Sequence, residues 1–187
     1  PVKQIPTFSC HIGTDESGKG DYFGPLVVAG VYVDKNLEEI LATLGVADSK
    51  KNTDKRNSQL AAEIKQVLQP HQYDIVTISP YKYNQLYEKT GRNLNNLLAW
   101  AHARVIENLL QKNPCQNIVV DQFGSEAQLK RRLMELARGT ELFVTPQGER
   151  DVAVAAASIL ARSQYLNSLQ ALSREAGVAL EKGASVA

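Results

Sequence analysis

The chain carries two adjacent acids between glycines, Gly13-Thr-Asp-Glu-Ser-Gly-Lys-Gly20, and follows them with the apolar run Pro25-Leu-Val-Val-Ala-Gly-Val-Tyr-Val33. These segments predict two strands, residues 8–14 and 25–33, that pair antiparallel across a glycine-rich turn. The second strand is apolar at nearly every position, which is typical of a strand covered on both faces. The stretch therefore predicts a hairpin at the centre of a buried sheet.

The rest of the sequence alternates between strand and helix patterns. Apolar residues recur at helical spacing from Leu94 to Leu110, which predicts a long helix that packs on the sheet. Residues 152–161 are rich in alanine and predict a helix that lies close to the sheet. Hairpin strands followed by strand–helix alternation predict an α/β fold, a mixed central sheet of about five strands flanked by helices. The other predicted elements are strands at 73–79, 117–121 and 141–144 and helices at 37–44, 54–68 and 125–138.

The composition favours a single domain that spans residues 1–187. A chain of 187 residues, 43% of them hydrophobic, is long enough to bury one core. Its formal net charge of +1 gives no overall basic field that would point to nucleic acid. The sequence shows neither an apolar run of the roughly 20 residues that a membrane helix needs nor a leader pattern, so we expect no membrane association.

Cysteine and histidine usage suggests no soft metal site. Cys10 and Cys115 are far apart in the sequence and have no CxxC partner, which favours a reducing, cytoplasmic setting over a disulfide framework. His11, His71 and His102 lack metal-ligand spacing and are interpreted as structural or surface residues. We predict a monomer with no obligate protein partner.

Four acids are the candidate catalytic residues. Asp15 and Glu16 end the first predicted strand, Asp121 ends a later strand, and Asp151 precedes the alanine-rich helix. Neighbouring strands would bring them to one sheet edge, where open α/β sheets place ligands. Carboxylates without histidine or thiolate suit Mg²⁺ or Mn²⁺ and not zinc or copper. Two such ions hydrolyse a phosphodiester without a protein nucleophile.

Each acid also has a structural interpretation. Asp151 is at a position where aspartate commonly serves only as a helix N-cap. Asp121 at a strand end is equally compatible with a turn residue. Successive strand residues point to opposite faces, so Asp15 and Glu16 serve one metal pair only if the strand bends or Glu16 reaches around. The glycines that follow favour such a bend.

The first acidic stretch also nearly fits the nucleotide-binding pattern GxxxxGK[ST]. That pattern needs a hydroxyl directly after its lysine to bind magnesium, and Gly20 stands there instead. Asp15 and Glu16 would also add negative charge to a loop that cradles phosphates. We therefore disfavour a nucleotide-binding loop.

Five segments occur in the order of a known family: Gly13-Thr-Asp-Glu-Ser-Gly-Lys-Gly-Asp-Tyr-Phe-Gly-Pro-Leu26, Asp48-Ser-Lys-Lys51, Asn93-Leu-Asn-Asn-Leu-Leu-Ala-Trp-Ala-His102, Val120-Asp-Gln-Phe123 and Val152-Ala-Val-Ala-Ala-Ala-Ser-Ile-Leu-Ala-Arg162. They resemble bacterial ribonuclease HIII, a type 2 ribonuclease H. The resemblance implies a ribonuclease H-like fold. It also implies endonucleolytic cleavage of the RNA strand of RNA/DNA hybrids, leaving 5′-phosphate and 3′-hydroxyl ends.

The resemblance assigns roles to individual residues. By motif position, it implies that Asp15, Glu16, Asp121 and Asp151 are the family's four metal-binding acids, with Mg²⁺ or Mn²⁺ as the cofactor.

The substrate contacts follow in the same way. Gly18, Lys19 and Gly20 would be the family's backbone-and-lysine grip on the ribose 2′-hydroxyl and the adjoining phosphate, the group that distinguishes RNA from DNA. Ser49 and Lys50 would contact the phosphates of the strand. The lysine of Gly18-Lys-Gly20 is similar to the HIII pattern, whereas ribonuclease HII more often has arginine there.

The chain departs from the family pattern at both ends. HIII members usually carry an N-terminal substrate-binding domain that resembles the TATA-binding protein fold, whereas this chain begins a few residues before its first predicted strand. It ends at Ala187, where the family typically continues from a similar Lys-Gly-Ala-Ser segment into a further helix. We therefore expect low affinity for hybrids if the N-terminal domain is missing.

The sequence leaves other functions open. Cleavage at single embedded ribonucleotides, as in ribonuclease HII, is one alternative. A DNA resolvase of the same fold would use similar acids and ignore the 2′-hydroxyl. A non-catalytic module would bind RNA/DNA hybrids without metal-dependent cutting.

Overall fold

The computed structural model describes residues 5–46 and 53–184, which fold around one mixed sheet. Its five strands are β1 (Cys10–Ser17), β2 (Leu26–Asp34), β3 (Tyr73–Ile78), β4 (Asn117–Asp121) and β5 (Glu141–Thr145). They lie in the order β3-β2-β1-β4-β5. β2 is antiparallel to both β1 and β3, whereas β4 is parallel to both β1 and β5. The predicted α/β fold with a mixed five-stranded sheet is confirmed.

Helices cover both faces of this sheet. Within the described residues they are α1 (Lys35–Thr43), α2 (Asp54–Val67), α3 (Pro80–Lys89), α4 (Leu94–Leu110), α5 (Glu126–Lys130) and α6 (Val152–Ala176). One apolar layer lies between the sheet and α4, and the other lies between the sheet and α6 with α1 and α2. None of the described helices has the length and apolar character needed to cross a bilayer.

Four elements differ from the sequence prediction. α6 continues to Ala176 instead of ending at residue 161. β1 runs three residues further than predicted, because Asp15 and Glu16 remain paired with β2. α3 was not predicted, although Ser79 caps it and Pro80 opens it. α5 ends at Lys130 instead of continuing to residue 138, and the Glu107 carboxylate of α4 accepts the Ala137 N–H at 3.2 Å. In a continuous helix the Ala137 N–H would donate to a backbone carbonyl of the same helix, and here the buried Glu107 carboxylate takes that place.

Two glycines allow helices to approach the central strands from opposite sides. A Cβ atom built at Gly13 of β1 would lie 2.3 Å from the Val154 backbone nitrogen and 2.4 Å from the Ala153 carbonyl carbon. A Cβ atom built at Gly30 of β2 would lie 2.5 Å from a methyl group of Val105 in α4. The α6 residues that face the sheet are mostly alanines, all fully buried. The backbone of α6 therefore lies almost directly on β1.

We expect the Gly13→Ala substitution to lower the free energy of unfolding by about 2 kcal/mol or more, since backbone atoms of α6 cannot yield as a flexible side chain would. Gly139→Ala is the matched control, because a Cβ atom there would meet nothing within 4 Å, and its effect should stay within about 0.5 kcal/mol. Urea unfolding of the two variants measures the difference. Equal stability of both would contradict the proposed close contact.

Candidate metal and nucleic-acid site

The strand register places two of the acids side by side. Thr14 of β1 pairs with Val120 of β4 in parallel register. The next residues along these strands are Asp15 and Asp121, at the carboxyl ends of neighbouring strands that lie about 4.8 Å apart. Both follow residues that face α4, so both point to the opposite face of the sheet, toward α6.

Asp15 is the most strongly perturbed acid of the site. Burial, followed by the negative charges of Glu16 and Asp121, raises the pKa of Asp15 to about 8. A hydrogen-bonding contact with Ser158 of α6 and the Glu16 N–H, which donates to Asp15 Oδ1 at 2.7 Å, act in the opposite direction. The ionised form of this carboxyl group is therefore costly in the protein alone.

Glu16 points to the other face and has partners there. His102 Nε2 of α4 lies 3.2 Å from Glu16 Oε2, and Lys19 Nζ lies 3.6 Å from Glu16 Oε1. Burial alone would raise the pKa of Glu16, but the hydrogen bond and attraction of His102, together with Lys19, outweigh it and lower the pKa below its usual value. The two adjacent acids thus have opposite electrostatic surroundings.

Asp121 is held by the 3-10 turn Gly148–Arg150 that precedes α6. The Gly148 N–H donates to Asp121 Oδ1 at 2.8 Å, and a Cβ atom at Gly148 would lie 2.9 Å from the Asp121 Cα. Burial, with the charges of Glu16 and Glu149, raises the pKa of Asp121, although the Gly148 hydrogen bond opposes this rise. Glu149 is therefore a further acid beside the site, and the sequence analysis did not identify it.

Asp151 occupies a different setting from the other three acids. It caps α6, where its Oδ1 accepts the Val154 N–H at 3.0 Å. Its Oδ2 lies 2.8 Å from His11 Nε2, and both side chains are almost completely buried. The two atoms are close, but the ring nitrogen is not aligned for a hydrogen bond. The side chain thus has the capping role that the sequence analysis gave as its structural interpretation.

The donor set fits a hard divalent cation in its chemistry, though not as an assembled cage. Among the described residues, no three His, Cys, Asp or Glu side chains already form a group that would hold a metal ion. Asp15 and Asp121 nevertheless offer carboxylate oxygens on neighbouring strands, and burial and the negative charges of nearby acids disfavour their ionised forms. A divalent cation removes that cost, and Mg²⁺ and Mn²⁺ prefer such oxygen ligands.

The glycine-lysine loop is shaped for close approach of a ligand. Gly18 and Gly20 both adopt left-handed backbone, with φ of 88° and 85°. A Cβ atom built at Gly20 would meet nothing within 4 Å, so the backbone of Gly20 is open on that side. Tyr165 of α6 supports the loop from below, and its hydroxyl donates to the Phe23 carbonyl at 3.1 Å. A groove of about 390 Å³ runs past this loop, with α3 and the start of α4 as its other wall.

The predicted phosphate contacts Ser49 and Lys50 lie outside the described residues. Lys19 lies within them: its side chain is 37% exposed, and its ammonium lies between Glu16 and the Phe123 carbonyl, which is 3.5 Å away. It therefore stands at the junction of the acids and the groove.

Comparison with known proteins identifies the family. The sequence model of the ribonuclease HII family matches residues 12–187. This chain belongs to the ribonuclease HII family. Ribonuclease HIII of Protochlamydia amoebophila (strain UWE25) is 48% identical to it over 177 residues, which cover 95% of this chain and 58% of that protein. The resemblance to ribonuclease HIII is thus confirmed, and the chain spans little more than half the length of that relative.

Solved structures of an RNase HIII and an RNase HII confirm the ribonuclease H-like fold. Bst-RNase HIII, solved in complex with Mn²⁺, superposes with a TM-score of 0.84 at 34% identity, covering 95% of this chain and 58% of that one. RNase HII in the PCNA complex from Archaeoglobus fulgidus superposes with a TM-score of 0.78 at 29% identity, covering 94% of this chain and 81% of that one.

Sequence reasoning missed the histidines beside the acids. His102 and His11 were interpreted as structural or surface residues, whereas each lies against one of the four acids of this family member. A signal was present for His102: it lies on the helical stripe of α4, and its neighbours on that stripe are buried. His11 alternates with Gly13 and Asp15 along β1, which places it on the α6 face.

The metal-free protein should lose stability as the pH rises from about 4 to about 8. Folding raises the Asp15 pKa to about 8, so in this range the folded state keeps a proton that the unfolded chain releases. Asp15→Asn lacks the titrating group, and its stability should therefore depend less on pH. Asp74→Asn is the control, because the Asp74 carboxylate lies away from the acids and accepts a hydrogen bond from Asn108. This variant should keep the wild-type slope.

Urea unfolding in EDTA across this pH range measures the slopes. At pH about 8, adding Mg²⁺ or Mn²⁺ should raise the free energy of unfolding of the wild-type protein, and it should raise that of Asp15→Asn by less. Identical pH slopes for wild type and Asp15→Asn would contradict the assigned cost of ionising Asp15.

Proposed function

We propose that this chain is the catalytic part of a metal-dependent endoribonuclease that hydrolyses the RNA strand of RNA/DNA hybrids and leaves 5′-phosphate and 3′-hydroxyl ends. One observation carries the proposal: in a ribonuclease HII family chain, the parallel register of β1 and β4 sets Asp15 beside Asp121, with Glu16 adjacent. The Mn²⁺ complex of Bst-RNase HIII supports a divalent metal as the cofactor.

The acids of this chain would hold Mg²⁺ or Mn²⁺. Two divalent ions in a carboxylate site supply an activated water and stabilise the leaving 3′-oxygen. Asp15, whose pKa is raised by the charges of both Glu16 and Asp121, would help to hold both ions. Glu16 and Asp121 would complete the leaving-group side. Asp151 would join on the water side, which requires its carboxylate to share or give up its contacts with His11 and Val154.

The glycine-lysine loop would select RNA. The open backbone at Gly20 allows a ribose to approach closely, and a 2′-hydroxyl offers both a donor and an acceptor to backbone groups. Lys19 would place its ammonium against the adjoining phosphate. Ser49 and Lys50 remain predicted phosphate contacts. The loop thus supplies the preference for RNA, and the acids supply the chemistry.

We also propose that residues 1–187 form one catalytic domain that works as a cytoplasmic monomer without an obligate protein partner. The single sheet with two shared apolar layers supports one domain. The RNase HII of Archaeoglobus fulgidus was solved with PCNA, so a sliding-clamp partner is the alternative for this chain. Light scattering of the purified chain, alone and mixed with PCNA, distinguishes them.

The decisive assay uses three labelled duplexes: an RNA/DNA hybrid, a DNA duplex with one ribonucleotide, and an all-DNA duplex. We expect cutting of the hybrid with Mg²⁺ or Mn²⁺ and none with EDTA. Asp121→Asn should lower kcat to the background rate without unfolding, because its amide oxygen still accepts the Gly148 N–H. Asp74→Asn is the matched control and should cut as the wild type does.

The other outcomes have distinct meanings. Retained cleavage by a folded Asp121→Asn protein would contradict the four-acid proposal. Cleavage at the lone ribonucleotide would favour ribonuclease HII-like specificity, a candidate that the family match supports. Cutting of all-DNA would indicate a resolvase, and metal-independent binding without cutting would indicate a binding module.

A further inference from the structure

His102 joins two residues of β1 on the face that carries no other acid of the site. Thr14 and Glu16 alternate with Asp15 and therefore both point toward α4. His102 lies between them: its Nδ1 is 2.8 Å from Thr14 Oγ1, and its Nε2 is 3.2 Å from Glu16 Oε2. The ring is fully buried and stacks on Phe123, with centroids 4.5 Å apart and planes 15° apart. Both ring nitrogens thus have a protein partner.

The chemistry of these partners fixes the direction of the hydrogen bonds. An ionised carboxylate only accepts, so the ring must donate from Nε2 to Glu16. In the neutral ring, Nδ1 then accepts, and the Thr14 hydroxyl donates to it. Thr14 is also fully buried, so water does not compete for this hydroxyl. The Glu16 carboxylate therefore sets the tautomer with the proton on Nε2, and the Thr14 hydroxyl satisfies Nδ1 and holds the ring in place.

This chain of contacts solves a geometric problem of the site. Strand alternation sends the Glu16 side chain to the face opposite Asp15, and a glutamate has several rotatable bonds that leave its carboxylate undefined. The contact with His102 anchors Oε2, while Oε1 faces Lys19 at the edge of the groove. Groups that orient ligand carboxylates in this way commonly strengthen metal binding, and their loss typically costs ten- to a hundredfold in affinity or activity.

We propose that His102 and Thr14 are positioning residues: His102 holds the Glu16 carboxylate at the end of β1, and the Thr14 hydroxyl, by its hydrogen bond to Nδ1, holds the His102 ring in position against Glu16. The inference rests on the proposed function, because it assigns Glu16 to the metal site. Both side chains are fully buried, so the proposed roles involve no contact of either residue with the substrate.

The test uses variants that change one hydrogen bond at nearly constant volume. Thr14→Val removes the hydroxyl, and Thr14→Ser keeps it. His102→Gln keeps an amide N–H able to reach Glu16, whereas His102→Leu removes every donor. Thr77→Val, at an exposed threonine of β3, is the control for the loss of a hydroxyl and a gain of apolar surface on a strand.

Two readouts separate positioning from a purely structural role. Calorimetric titration with Mn²⁺ alone, without nucleic acid, gives the metal affinity of each folded variant. Steady-state cleavage of the RNA/DNA hybrid gives kcat and KM separately. We expect Thr14→Val to weaken Mn²⁺ binding about tenfold and to lower kcat with little change in KM. Thr77→Val should match the wild type, Thr14→Ser should retain more Mn²⁺ affinity and kcat than Thr14→Val, and His102→Gln should retain more Mn²⁺ affinity than His102→Leu.

The outcomes distinguish this inference from the proposed function. Wild-type Mn²⁺ affinity and kcat in a folded Thr14→Val protein would overturn the positioning roles while leaving the nuclease proposal intact. Loss of stability in Thr14→Val with unchanged Mn²⁺ affinity would overturn them too, because the role would then be structural. A wild-type protein that neither binds Mn²⁺ nor cuts the hybrid would overturn the proposed function, and this inference with it. If Thr14→Val does not fold, the comparison of His102→Gln with His102→Leu decides.

Discussion

The close contact of α6 with β1 at Gly13 is the constraint on which the site depends. Any side chain at Gly13 would collide with the α6 backbone, and the alanines of α6 keep the helix at this short distance along the strand. The contact carries Asp151, at the start of α6, to the beginning of β1 and brings Ser158 to Asp15. Packing that involves only small residues thus decides where two of the proposed site's polar groups lie.

With α6 packed in this way, β1 places its two adjacent acids, Asp15 and Glu16, in different environments. Asp15 points toward α6 and Asp121, where burial and like charges raise its pKa. Glu16 points toward α4, where His102 and Lys19 outweigh burial and lower its pKa. Pairs of titratable groups whose pKa values are pushed apart by their surroundings are common in catalytic sites. The alternation of a plain β-strand, and not a bend, produces the contrast.

Much of the fold was predictable because its signals are local. The apolar run of β2 and the helical stripe of α4 depend on side chains within one element, and their bounds agree with the structure to within a residue or two. The prediction of a long helix at 125–138 was wrong because its second half is interrupted where a carboxylate from α4, Glu107, binds the Ala137 N–H. The helical pattern of 125–138 cannot report a competing partner that lies thirty residues away in the chain.

The sequence by itself determined the family motifs, the acids that are candidates for metal binding and the order of the strands along the chain. It did so because residue type and spacing are written in the chain directly. Only the tertiary structure decided which acid faces which helix: the parallel register sets Asp15 beside Asp121, strand alternation turns Glu16 to His102, and the α6 N-cap draws Asp151 to His11. These pairings join residues that are distant in sequence, and they arise from strand pairing and helix packing, which no local pattern encodes.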